Sequence, residues 1–183
     1  MLIRFNDIFT DEYLTRAQEL EMTIDDVVTL ASIIEKEAKT ADFAKVSAVF
    51  HNRLAQDMRL ESDAPLRYIF KTEGVLDFTA EQMQSDSPYN TYTHDVARRP
   101  HRQPGGSAIQ AALWPDEEYV EDGYLYFVLK ARTSTELVFS TDYDDFLENK
   151  EAYQSQSTAT QKGPAEGEAE PTATPDSTPT PEE

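Results

Sequence analysis

The sequence predicts an α+β fold: a mostly helical domain with a small antiparallel sheet, followed by a disordered tail. Three stretches carry that prediction. Thr23 to Thr40 reads TIDDVVTLASIIEKEAKT, a capped helix that is apolar nearly all round and so belongs inside a domain. Tyr124-Leu125-Tyr126-Phe127-Val128-Leu129, just after Gly123, has strong strand character, and Glu136 to Ser140 suits its antiparallel partner. From Gln154 to Glu183 there is no large apolar residue, and that segment cannot bury enough surface to offset its ordering entropy. The 183 residues thus divide into a linker helix leading into the domain (1–22), the domain itself (23–153) and an acidic Pro/Thr/Glu-rich tail (154–183).

In chain order, Phe5 to Met22 predicts a moderately amphipathic helix with Phe9, Tyr13, Ala17 and Leu20 on one side. Thr23 caps the central helix, with Asp26 as a short capping-box partner. Val46, Val49, Phe50, Arg53 and Leu54 keep helical spacing within a helix from about Phe43 to Gln56. Asp57 to Pro65 predicts a turn region, in which Asp63 bonds its own backbone ahead of Ala64-Pro65. Tyr68 to Gln84 predicts a short strand or turn and then a helix starting near Thr79. Ser85-Asp86-Ser87-Pro88 breaks regular structure, and Tyr89-Asn90-Thr91-Tyr92 continues as an extended loop. Ser107 is the expected cap of a short helix through Leu113, halted before Pro115. Thr141 or Asp142 is the expected cap of a last helix ending near Tyr153.

The chain is acidic, with a formal net charge of −19. Of its 35 acidic and 16 basic residues, 29 and 15 precede Gln154, so the body carries −14 and the tail −5. That balance argues against nucleic acid or an anionic membrane surface as a partner. The absence of cysteine excludes disulfides and thiolate chemistry. His51, His94 and His101 show no metal-ligand spacing. No apolar run has the length of a membrane span or signal peptide, so the chain as written reads as soluble.

One polar residue stands out on the central helix. Glu35 follows Ile34 directly, and at about 100° per residue it lies within roughly 20–40° of the apolar positions Val28 and Ala31. A carboxyl group held on that side is partly desolvated and suited to donate a proton near neutral pH. The alternative is a helix end emerging into water with two solvated glutamates. Glu37 projects about 200° from Glu35, so the two are not a side-by-side pair.

Further motifs follow in a fixed order. After Leu30-Ala31-Ser32-Ile33-Ile34-Glu35-Lys36-Glu37 come Val49-Phe50-His51-Asn52-Arg53-Leu54 and Met58-Arg59-Leu60-Glu61-Ser62-Asp63. Ser87-Pro88-Tyr89-Asn90-Thr91-Tyr92, Pro104-Gly105, Ala108-Ile109 and Tyr124-Leu125-Tyr126-Phe127-Val128 complete the series. Together, over roughly Thr23 to Tyr153, it resembles the catalytic domain of the endolytic murein transglycosylases, the YceG-like (MltG) family of bacteria.

The resemblance implies an enzyme, a lyase that cuts the β-1,4 bond between N-acetylmuramic acid and N-acetylglucosamine inside peptidoglycan strands. The product is a 1,6-anhydro end, made without a metal or organic cofactor. The family's essential glutamate falls on Glu35, which protonates the leaving oxygen and then, as carboxylate, takes the proton of the sugar's own 6-hydroxyl. A second carboxylate is not obligatory, unlike in the two-carboxylate hydrolases. Asn52, Asp63, Tyr89, Asn90 and Tyr92 are the expected substrate-binding residues. All but Asn90 have a plain structural alternative: a surface amide for Asn52, turn-shaping for Asp63, core packing for Tyr89 or Tyr92. Arg53 either anchors an acidic neighbour or forms an ordinary surface ion pair. The resemblance further implies a place on the outer face of the cytoplasmic membrane and work alongside the cell-wall synthesis machinery.

Two departures qualify the likeness. Family members normally begin with a membrane-spanning helix and a LysM-like domain, whereas this sequence starts just before the catalytic region. After YNTY the family has a Gly/Pro-rich loop resembling GLPPGPIANPG, where this chain has Asp95 to Gly105 with Arg98, Arg99, His101 and Arg102. Synonymous codons exist for Ala97 to Pro104 that, read one base later, spell Pro-Ala-Gly-Pro-Ile-Ala-Asn-Pro. The expectation is a compensated frameshift confined to about Thr93–Pro104, which makes the basic patch accidental. It also sets a rival reading of another class: a non-catalytic peptidoglycan-binding or wall-assembly scaffold with a defective loop. A glutamate-dependent hydrolase is the rival within enzymes.

Overall fold

The computed structural model describes residues 8–72, 78–94, 103–131 and 134–160. Its helices are α1 (Asp11–Glu19), α2 (Ile24–Glu37), α3 (Phe43–Ala55), α4 (Asp63–Phe70), α5 (Ala80–Met83), α6 (Gly106–Leu113), α7 (Glu117–Glu121) and α8 (Tyr143–Thr160). The strands β1 (Tyr126–Leu129) and β2 (Leu137–Ser140) form a two-stranded antiparallel sheet between α7 and α8. The α+β class is therefore correct.

α2 is the central element. Thr23 Oγ1 accepts from the Asp26 N–H at 3.2 Å while Asp26 Oδ2 accepts from the Thr23 N–H at 2.9 Å, the reciprocal box the sequence predicts. From Val27 to Ile34 all residues but Val28 are buried, and Ser32 Oγ satisfies itself on Thr29 O at 2.7 Å. α2 packs most extensively against α6, with α3 crossing both. Leu30, Ile33, Ile34, Val46, Phe50 and Leu113 are almost wholly removed from water. Each such side chain contributes about 1.5–3 kcal/mol.

α6 is fixed at its far end by two nitrogens. Arg16 Nε donates to Leu113 O at 3.0 Å, and His51 Nε2 donates to Ala112 O at 2.9 Å. Burial holds His51 below the ordinary histidine pKa, so it sits there as a neutral donor. The arginine bond brings α1 onto the core, where Phe9 and Ala17 are buried and Tyr13 meets Trp114 edge-on at 4.8 Å. The described part of the expected linker segment is thus packed into the domain.

The hairpin pairs Tyr126 with Ser140 and Leu129 with Leu137. Phe127 packs on Phe50 of α3 at 5.9 Å, and Tyr126 stacks on Phe146 of α8 at 5.3 Å. The run reads as sheet packing, not as a sugar platform. Asp142 Oδ1 caps α8 by accepting from the Asp145 N–H at 3.0 Å. That helix continues to Thr160, seven residues beyond its expected end, so the tail boundary at 154 falls inside it. The rest of the tail lies outside the described residues.

Three local expectations are corrected. Asp63-Ala64-Pro65 opens helix α4 instead of forming a turn, because Ser62 caps it and Pro65 lies in the first turn, where no N–H is needed. α6 is capped by Gly105, not Ser107. The short helix α7, capped by Asp116, was not expected at all. The helix expected near Thr79 is present as α5, with Thr79 and Gln82 in a capping box.

Candidate active site

Glu35 lies in the last turn of α2, half-buried, at the seam where that helix meets the start of α6. Its Oε1 accepts a hydrogen bond from the Gly105 N–H at 2.9 Å. Gly105 is the N-cap residue of α6, so the carboxylate meets the end of the helix that attracts negative charge. Gly105 has φ −76°, which any residue can adopt, but a side chain there would press on the glutamate. A Cβ there would stand 3.1 Å from Glu35 Oε1. Among the described residues, Oε2 has no hydrogen bond, so one carboxyl oxygen is held and the other is not.

On the other side of the same turn, Glu37 behaves differently. Its Oε1 accepts from Ser62 Oγ and, at 3.2 Å, from the Ala64 N–H at the start of α4. Burial pushes the Glu37 carboxyl above its ordinary range, with Ser62 and Ala64 pulling the other way. Sequence reasoning left this residue out. Its only signal was Ser62, a helix-capping type before Asp63-Ala64-Pro65, which marks a second helix start.

The expected substrate-binding residues separate into two groups. Asn52 and Asn90 belong to the framework. Asn52 is buried, and its Nδ2 donates to Tyr119 O and Tyr124 O, both at 3.0 Å, tying α3 to α7 and the approach to β1. Asn90 is wholly inaccessible; its Nδ2 donates to Met83 O and Ser85 O, and its Oδ1 accepts from the Tyr92 N–H. With no exposed surface, Asn90 cannot touch a sugar in this structure, and the surface-amide alternative for Asn52 is equally overturned.

Asp63, Tyr89 and Tyr92 stay partly open. Tyr92 Oη donates to Asp63 Oδ1 at 2.7 Å, and Arg67 approaches Asp63 Oδ2 at 3.7 Å. Burial, then the Asp63 bond and charge, holds the Tyr92 phenol well above its ordinary pKa, so it remains a hydroxyl donor. Tyr89 meets Tyr68 edge-on at 5.5 Å beside an open cavity of about 570 Å³, lined by Arg67, Tyr68, Ile69, Lys71, Ser87 and Tyr89. Arg53 takes the anchoring role: it is buried, and its Nη2 binds Glu61 Oε2 at 2.6 Å while Nε donates to Arg59 O. Glu61 has φ 50°, a left-handed turn that delivers Ser62 to the start of α4.

Of the Asp95–Gly105 segment expected to be altered, residues 95–102, with Arg98, Arg99, His101 and Arg102, lie outside the described residues. Among those described, no cluster of His, Cys, Asp or Glu could hold a metal ion, and no helix is long and apolar enough to cross a membrane.

Residues 1–152 match the model of the YceG-like family. A protein of Bacillus subtilis (strain 168) described as an endolytic murein transglycosylase is 32% identical over 156 residues, covering 83% of this chain and 41% of that protein. A protein of the same description from Streptococcus pneumoniae (strain ATCC BAA-255 / R6) is 28% identical, covering 75% of this chain and 25% of its own length. The chain therefore spans well under half of these curated relatives. Among solved structures, a putative yceG-like protein of Listeria monocytogenes superposes with a TM-score of 0.64 at 32% identity, over 75% of this chain and 43% of that one. The chain belongs to the YceG-like family.

Proposed function

We propose that the chain is a peptidoglycan lytic transglycosylase in which Glu35 is the catalytic acid and then base. The observation that carries this reading is the Glu35 carboxyl at the α2–α6 seam, with Oε1 held by the Gly105 N–H and no hydrogen bond to Oε2 among the described residues. The relatives' description as endolytic murein transglycosylases supplies the substrate class.

In the reaction so read, the Glu35 proton passes to the oxygen linking N-acetylmuramic acid to N-acetylglucosamine, and the C1–O bond breaks. The carboxylate left behind takes the proton of the 6-hydroxyl as O6 bonds to C1. Glu35 ends protonated as it began, no water is consumed, and the products are a 1,6-anhydro end and a free 4-hydroxyl. The Gly105 N–H serves the second half, when the carboxylate carries charge. The open cavity beside Tyr68 and Tyr89 offers ring faces for a neighbouring sugar, with Lys71 and Arg67 at its rim. By the same reading the chain works at the outer face of the cytoplasmic membrane, beside the cell-wall synthesis machinery.

The test is digestion of purified peptidoglycan by this chain and by Glu35→Gln, with products resolved by mass spectrometry. Anhydro ends, one water lighter than hydrolysed ends and made only by the unsubstituted chain, are expected. Ordinary reducing ends would mean a hydrolase. Glycan binding without turnover, unchanged in Glu35→Gln, would mean a scaffold.

A further inference from the structure

The last turn of α2 carries Glu35, yet its backbone does little to secure it. Ala38, after the helix, is extended (φ −136°, ψ 173°), and its N–H reaches Ile34 O at 3.3 Å. Lys39 continues extended at φ −87°, so no left-handed residue closes the helix end. A glutamate at this position also opposes the helix dipole, whose C-terminal end favours cations. Helix stability alone therefore does not account for Glu37.

Its surroundings do. Glu37 reaches across to a rigid anchor, Ser62, which is 4% exposed. The Ser62 N–H donates to Thr91 Oγ1 and the Thr91 hydroxyl donates to Ser62 O, both at 2.9 Å, with Thr91 wholly buried. Glu61 N–H adds a bond to Thr91 O at 3.2 Å. Because Glu37 points about 200° from Glu35, the two side chains hold the turn from opposite sides.

We propose that Glu37 is a positioning residue for Glu35: its bonds to Ser62 and Ala64 pin the last turn of α2 to α4 and so hold Glu35 against Gly105. This rests on the reading of Glu35 given above. Without the clamp the turn frays, and Glu35 loses the fixed approach that proton transfer requires.

The test uses the Gly105 amide proton, observed by NMR in the full chain. Bonded to the Glu35 carboxyl oxygen, it is expected downfield and slow to exchange, and to move in Glu35→Gln. In Glu37→Ala it is expected to move the same way in a protein that still melts cooperatively. Turnover should fall about 100-fold with KM little changed, the scale of a misplaced catalytic group. Glu37→Gln keeps an oxygen acceptor for both donors and should retain the Gly105 signal. If Glu37→Ala does not fold, Ser62→Ala removes one donor and carries the same comparison with a smaller shift. An unmoved Gly105 signal in the folded variant, or equal losses in Glu37→Gln and Glu37→Ala, would overturn the proposal. The amide signal needs no turnover: a wild-type chain that leaves peptidoglycan uncut sinks the transglycosylase reading and leaves this test standing.

Discussion

Glu35 and Glu37 stand two residues apart on one helix end, and each faces the start of another helix. Glu37 is the more tightly held: a buried serine hydroxyl and the Ala64 amide meet one oxygen, and burial of the carboxyl outweighs both in setting its proton affinity. Glu35, half-buried like Glu37, takes a single amide hydrogen bond from Gly105. Two bonds to one oxygen suit a brace, because the group must not move. A single bond suits an acid–base, because the second oxygen is left for a substrate. Proximity in sequence says nothing about which role falls to which residue; the partner across the seam decides.

The largest expected effect separates the two at once. Glu35→Gln should lower anhydro-product formation on the order of 10²–10⁴-fold, the usual share of one acid–base group. Its melting temperature should barely change, since the side chain is half-exposed. A variant that melts much earlier would make Glu35 a structural residue and erase the contrast.

Gly105→Ala probes the open side with no charge altered. Its φ and ψ accept alanine, and the loss of unfolded-state freedom is worth about 0.4–1 kcal/mol in favour of folding. The new Cβ crowds Glu35 Oε1 at 3.1 Å. We expect digestion to slow roughly tenfold, as for a small misplacement, while thermal unfolding shows no destabilisation. Full activity would mean that Glu35 has room to spare.

Ser62→Ala probes the Glu37 side and should do the reverse. It removes the cap of α4 and one Glu37 donor, at about 1–2 kcal/mol, and should lower Tm by roughly 3–6 °C. A change below 1 °C would mean that the clamp contributes nothing to folding.

The smallest effect is a pH dependence. A carboxyl whose folded pKa is raised contributes stability that is full below its ordinary value of 4.5 and is lost as pH rises through the raised one. Urea unfolding should therefore show Glu37→Gln gaining on the wild type as pH climbs from 4.5. His51, held below its ordinary 6.5, works in the opposite sense: its contribution is full above 6.5 and fades as pH falls toward its lowered value. A wild type that instead gains on Glu37→Gln as pH climbs would contradict the burial argument.

Much of the architecture was legible because it is written locally. The Thr23–Asp26 box, the apolar run of α2, the strand pair and the Asp142 cap need only neighbours along the chain. α4 was not legible, since Asp63-Ala64-Pro65 satisfies the rules of a turn as well as those of a helix's first turn. Ser62 decides between them through Glu37, 25 residues away. Glu35 could be singled out because the helix geometry and the family motif met on it. Asn52 and Asn90 show the limit: an amide that bonds carbonyls within the fold has the same sequence signature as one that bonds a sugar.

The seam at Glu35 also bears on how the chain reaches its folded state. The bonds from Glu37 to Ser62 and from Glu35 to Gly105 close loops of 25 and 70 residues. Closure entropy makes the longer loop costlier by about 0.9 kcal/mol, before any difference in chain stiffness. The α2–α4 clamp should therefore form ahead of the α2–α6 contact, so that refolding molecules pass through a stage with the brace in place and the acid–base still unpartnered. Pulse-labelled hydrogen exchange would show it as protection at Ala64 preceding protection at Gly105, with activity returning only alongside the second.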